Sequence, residues 1–186
     1  MKPRTSETHP LQIATLNLAS GARLGMTFCP GKCDPNAMTG AWQRNLDADL
    51  KAVAAWGATG LVTLMEEHEL EMLRVPDLGY KTAALNMQWY HLPIRDVDVP
   101  AGPFLSGWPM VQTDVLNRLH AGGRVVVHCR GGLGRAGLVG ALILVEAGIE
   151  ADAAIREIRK ARPGAIETTA QEKYVLDYRP KRFVDK

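Results

Sequence analysis

The string His128-Cys129-Arg130-Gly131-Gly132-Leu133-Gly134-Arg135 brings a thiol, three glycines and a terminal guanidinium into eight consecutive positions. A thiolate attacks phosphorus. Arg135 is planar and permanently charged, so it can grip two phosphoryl oxygens at once and hold them as a transition state spreads charge over them. The glycines let the backbone curl until several N–H groups face one point, and such a cluster of amides favours the thiolate of Cys129 over the thiol. The pattern points to capture of a phosphoryl group on Cys129. The competing reading is an inert cysteine beside a glycine-rich turn, with Arg135 a surface cation; it leaves the order strand, Cys, glycines, Arg, helix unexplained. A Walker-type nucleotide loop ends in Gly-Lys-Ser/Thr, and no such triplet occurs in the chain.

Such a loop works only if its neighbours aim it. Val125-Val126-Val127 reads as a fully buried parallel strand running into Cys129, and Leu138 to Val145 is apolar nearly all round, which predicts a central helix leaving the loop. The N–H groups at that helix start are unpaired and the helix dipole adds to their pull on a phosphate. Upstream, 11–18 and 23–28 read as an edge hairpin turning at Ser20-Gly21, and Leu46, Leu50, Val53 and Ala54 recur at helical spacing up to Gly57. A buried strand over 60–65, a helix over 66–74, a loop at 76–79 and a strand over 88–92 continue the alternation. Pro93 to Gly107, rich in Pro, Gly and Asp, suits a functional surface loop. A helix over 109–120 follows. After the central helix, Ala151, Ala154, Ile155 and Ile158 form a one-sided stripe, and 168–178 forms a last helix. The fold class is α/β: a single domain over 11–186, with a mainly parallel central sheet and helices on both faces, preceded by a polar tail over 1–10.

Composition narrows the function. With 186 residues, 46% of them apolar, the chain can bury the core of one domain. The balance of 22 basic and 20 acidic residues gives +2, which is no electrostatic footprint for nucleic acid or a membrane surface. No stretch reaches the ~18 apolar residues of a membrane span. Cys29, Cys33 and Cys129 are an odd count at uneven spacing, unlike a secreted disulfide framework, and this predicts a cytoplasmic address. Oligomeric state is not legible.

His128-Cys129, five residues and Arg135 resemble the signature of the protein-tyrosine and dual-specificity phosphatase superfamily, and His-Cys-x-Gly-Gly-Leu-Gly-Arg is similar to the cyclin-dependent-kinase-associated phosphatase group. Leu24-Gly25, Pro30-Gly31, Arg44-Asn45, Pro93-Ile94-x-Asp96 and Gly164-Ala165-Ile166-x-Thr168 with Gln171 and Tyr174 extend the likeness over nearly the whole chain. The resemblance implies a two-step reaction on a phosphorylated protein, without metal or cofactor, through a phosphocysteine. Cys129 would be the nucleophile and Arg135 the clamp. The amides of Arg130, Gly131, Gly132, Leu133, Gly134 and Arg135 would form the cradle, and His128 would support the thiolate. Asp96, at the family's Ile-x-Asp position, would protonate the leaving oxygen and then activate water, with Asp98 as the alternative. Gln171 would help to place that water. Most of the superfamily has Ser or Thr after the arginine, where its hydroxyl assists release from the phosphoenzyme. Ala136 stands there instead, as in the phosphatases of regenerating liver, and predicts slow breakdown of the phosphocysteine.

The remaining features have plainer readings. Cys29 and Cys33 lack the second ligand pair that zinc requires, and either one is a potential disulfide partner of Cys129 under oxidation. Arg130 is read as a solvated side chain lending its amide, and Trp108 as core or as an anchor for the acid-bearing loop. A rhodanese-like sulfur transferase also mounts a cysteine in an anion-binding loop, but the position of Arg135 and the preceding acid loop favour phosphoryl chemistry. A catalytically weak binder of phosphorylated proteins is the other alternative, to which Ala136 lends weight and intact Cys129, Arg135 and Asp96 do not.

Overall fold

The computed structural model describes residues 2–180; Met1 of the expected tail and residues 181–186 of the expected domain lie outside the described residues. The chain runs β1 (Ala14–Asn17), β2 (Arg23–Phe28), β3 (Cys33–Asp34), β4 (Trp42–Gln43), α1 (Leu46–Ala55), β5 (Gly60–Thr63), α2 (Glu67–Met72), α3 (Leu78–Ala84), β6 (Gln88–His91), α4 (Gly102–His120), β7 (Arg124–Cys129), α5 (Gly134–Glu146), α6 (Ala151–Ala161) and α7 (Thr169–Asp177). The main sheet has the order β1-β2-β7-β5-β6. Only the β1–β2 hairpin at its edge is antiparallel; β2, β7, β5 and β6 are parallel.

The valine run explains why β7 is central. Val125 and Val127 point into one core with α4, α5, α6 and α7, while Val126 points into a second core with residues of α1, α2 and α3. A strand buried on both faces needs no polar alternation. Beyond it, α5 is buried from Gly134 through Val145, so the helix that starts at the loop sits inside the domain. The polar segment before β1 is held to the body: Arg4 pairs its backbone with Ala41 and Gln43, and Arg44 Nη1 donates to His9 O at 2.7 Å.

Three features differ from the sequence reading. Helix α4 begins at Gly102 and passes through Pro109, although a helix-interior proline costs about 3 kcal/mol. Phe104 and Trp108, one turn apart, stack at 5.2 Å in the core, and their burial outweighs that cost. Trp108 is thus a core residue, its Nε1 donating to Tyr178 Oη at 2.8 Å. The stretch 78–84, which carries no strong stripe, forms α3; Gly79 serves packing there, since a Cβ would lie 2.5 Å from the Trp89 ring. The ribbon of β3 and β4 is too short to leave a periodic signal.

Candidate active site

Cys129 is the last residue of β7 and is 3% exposed, with its backbone paired in register with Phe28 of β2. Five residues on, α5 starts, so the loop closes over the carboxyl end of the strand and the amino end of the helix. Gly132 makes the curl possible: its φ is +70°, and a Cβ would meet the backbone of Thr27 and Phe28 at 2.4–2.5 Å. In this conformation Gly132 N–H donates to Cys129 Sγ at 3.2 Å. Outside the loop, Arg162, just past the end of α6, holds a carbonyl, its Nε donating to Gly132 O at 3.1 Å.

Arg135 returns from the first turn of α5 and is 2% exposed. Its guanidinium bridges three segments: Nη1 donates to Glu69 Oε2 at 2.6 Å, Ile94 O at 2.9 Å and Leu64 O at 3.4 Å, and Nη2 donates to Glu69 Oε1 at 2.8 Å. Nη2 also lies 2.8 Å from Asp96 Oδ1. Burial opposes charge on Arg135, but its hydrogen bonds to Glu69 together with the neighbouring negative charges outweigh it and raise its pKa above the ordinary value. Burial likewise opposes charge on Glu69, yet the bonds and charge of Arg135 hold its carboxyl below the usual range. Glu69 is a site residue that the sequence did not disclose.

The two candidate acids separate. Asp96 reaches Arg135, whereas the Asp98 carboxylate accepts from Val99 N–H in its own loop at 2.8 Å. Val97, between them, has φ +57°, a left-handed backbone that a β-branched residue rarely adopts. His128 is fully buried; its Nε2 shares a 2.8 Å hydrogen bond with Thr63 Oγ1, which also accepts from Trp89 Nε1. Burial, aided by the charge of Arg135, pushes its pKa down to about 3, so the ring is neutral and brings no positive charge to Cys129. Gln171 is buried too. Its Oε1 accepts from Glu167 N–H at 3.0 Å and its Nε2 donates to Asp98 O at 3.1 Å, so its amide ties the acid loop to the start of α7. The Arg130 side chain is not simply solvated: it pairs with Asp34 Oδ2 at 2.9 Å. Ala136 is wholly buried in α5, and Cys29, Cys33 and Cys129 are free thiols. A cleft of about 390 Å³ opens beside the loop, lined by Glu66, His68, Glu69, Met72, Arg95, Asp96 and Arg130.

A thiol at the end of a central strand, a glycine-bent loop whose Gly132 amide faces it and a guanidinium fixed by a buried carboxylate fit a cysteine-dependent phosphatase. The family described as Swiss Army Knife protein, DSP-PTPase phosphatase domain, matches residues 32–175, and the chain belongs to it. The chain is 28% identical to the cyclin-dependent kinase inhibitor 3 of Mus musculus over 183 residues, covering 97% of this chain and 84% of that protein. It is 35% identical to the protein tyrosine phosphatase type IVA 2 of Mus musculus over 121 residues, 61% of this chain and 71% of that protein. Among solved structures, kinase associated phosphatase carrying serine for its catalytic-site cysteine superposes with a TM-score of 0.77 at 26% identity, covering 89% of this chain and 92% of that one. The chain is a protein-tyrosine/dual-specificity type phosphatase, and nothing in the comparisons favours sulfur transfer or mere binding.

Proposed function

We propose that this phosphatase acts on phosphorylated protein side chains through a phosphocysteine, with Cys129, Arg135 and Asp96 as its catalytic residues. The phosphoryl oxygens take the amides of Arg130 to Arg135 and the guanidinium of Arg135. Cys129 Sγ then attacks phosphorus as the bond to the leaving oxygen breaks, and Asp96 gives that oxygen a proton. In the second step Asp96 takes a proton from water, the water oxygen attacks phosphorus, and the S–P bond breaks to return the thiolate and free phosphate. His128 and Gln171 act as positioning residues, one on the strand end and the other on the acid loop.

The observation that carries this reading is the 2.8 Å approach of Asp96 to Arg135: a carboxylate from a separate loop stands at the edge of the cradle. A phosphoryl group that takes Nη2 leaves this carboxyl beside the leaving oxygen. Ala136 offers no hydroxyl to the departing sulfur, so the second step limits turnover. The free thiols suit a reducing, cytoplasmic setting, and no described helix is long and apolar enough to cross a membrane. Steady phosphate release from a phosphotyrosine peptide, abolished by Cys129→Ser, is the expected result. Thiosulfate-to-cyanide sulfur transfer without phosphate release would overturn it, as would peptide binding without turnover.

A further inference from the structure

The loop also meets a carboxylate from the segment that leads into α7. Glu167 Oε2 accepts from Gly134 N–H at 2.8 Å, and Gly134 is the amide at which the loop becomes α5. The contact is built into the fold. Ile166, just before Glu167, has φ +60°, another β-branched residue in the left-handed region. Its conformation is held by burial and by Arg159 Nη2, which donates to Ile166 O at 3.2 Å. Gln171 then fixes the backbone of Glu167 itself by accepting from its N–H. Two of the carboxylates that touch the loop thus neighbour a β-branched residue in the left-handed region: Asp96 beside Val97, Glu167 beside Ile166.

We propose that Glu167 sets the affinity of the cradle for phosphate by acting as an internal anion in competition for the Gly134 amide. The inference rests on reading Arg130 to Arg135 as the phosphoryl cradle. The carboxylate satisfies an amide that has no acceptor within its own helix. A phosphoryl group entering the loop must displace that carboxylate or bind beside it, and two anions a few ångströms apart in a partly buried site repel. Glu167 thus weakens the hold on dianionic phosphate and favours departure of the product. A neutral side chain of the same shape keeps the hydrogen bond and removes the repulsion.

The test is competitive inhibition of phosphotyrosine-peptide hydrolysis by inorganic phosphate in the parent, Glu167→Gln and Glu167→Ala proteins. Inhibition constants lower by about tenfold in both variants are expected. If Glu167 is only a structural cap on α5, thermal stability falls in Glu167→Ala and the constants stay equal; equal or raised constants overturn the proposal. The two substitutions remove the charge independently, so a folding failure in one leaves the other to decide. A parent protein that neither hydrolyses the peptide nor binds phosphate sinks the phosphatase reading itself, whereas intact hydrolysis with unchanged constants sinks only the role of Glu167.

Discussion

Glu69 and Asp96 hold the same guanidinium in opposite ways. Glu69 comes from a capped helical turn and is 3% exposed, and both its carboxylate oxygens bond to Arg135. Asp96 comes from an irregular loop, offers one oxygen to Arg135, and has a side chain 53% exposed. The lesson is that one arginine needs two kinds of carboxylate. On the proposed mechanism the buried one fixes where Arg135 points, and the exposed one leaves when a phosphoryl group arrives.

The comparison breaks most readily at Glu69. Removing one partner of a buried ion pair typically costs about 3–5 kcal/mol, so Glu69→Gln should lose that order of stability in denaturant unfolding, with kcat falling as Arg135 loses its orientation. Asp96→Asn is expected to lower activity without the stability loss: kcat falls by about 10²–10⁴-fold, the usual range for a general acid, while the unfolding midpoint hardly moves. Equal stability losses in the two variants would contradict the division of labour.

The same contrast was uneven in the sequence. Cys129 to Arg135 could be read directly because a contiguous strand, loop and helix carry the chemistry in consecutive residues. Asp96 was reached only by resemblance, since a lone Asp in a Pro/Gly-rich loop looks like any solvated acid. Glu69 could not be found: it sits in Glu66-Glu67-His68-Glu69-Leu70-Glu71, where burial alone distinguishes it from its neighbours. Glu167 and Arg162 were equally hidden, because each acts across a gap of about 30 residues that only the fold closes. Periodicity also found most of the sheet yet began α4 only at Pro109, where tertiary burial overrides the local rule.

Acid titration probes the buried half of the site. His128 has a folded pKa lowered from 6.5 to about 3, so the unfolded chain binds the proton more readily and stability falls as pH drops from 6.5 towards 3. The slope is up to about 1.4 kcal/mol per pH unit. Glu69, whose folded pKa is depressed below 4.5, contributes stability above 4.5 that is lost as pH falls through its folded value. Unfolding measured between pH 7 and 3 should therefore show a shallower acid loss in His128→Asn than in the parent, and parallel curves would contradict the neutral, buried ring. The smallest effect expected is at Ala136: Ala136→Ser should raise turnover a few-fold by assisting sulfur departure, read in steady-state phosphate release, and no rise would remove the slow second step.

Acid quenching of the parent enzyme within its first turnovers on a phosphotyrosine peptide, followed by mass mapping, asks most directly where the phosphoryl group goes. The expected result is phosphate on the peptide containing Cys129, accumulating in the parent and reduced in Ala136→Ser. Phosphate release at full rate with Cys129 never phosphorylated, or phosphate release surviving Cys129→Ser, would contradict phosphoryl transfer to this thiol.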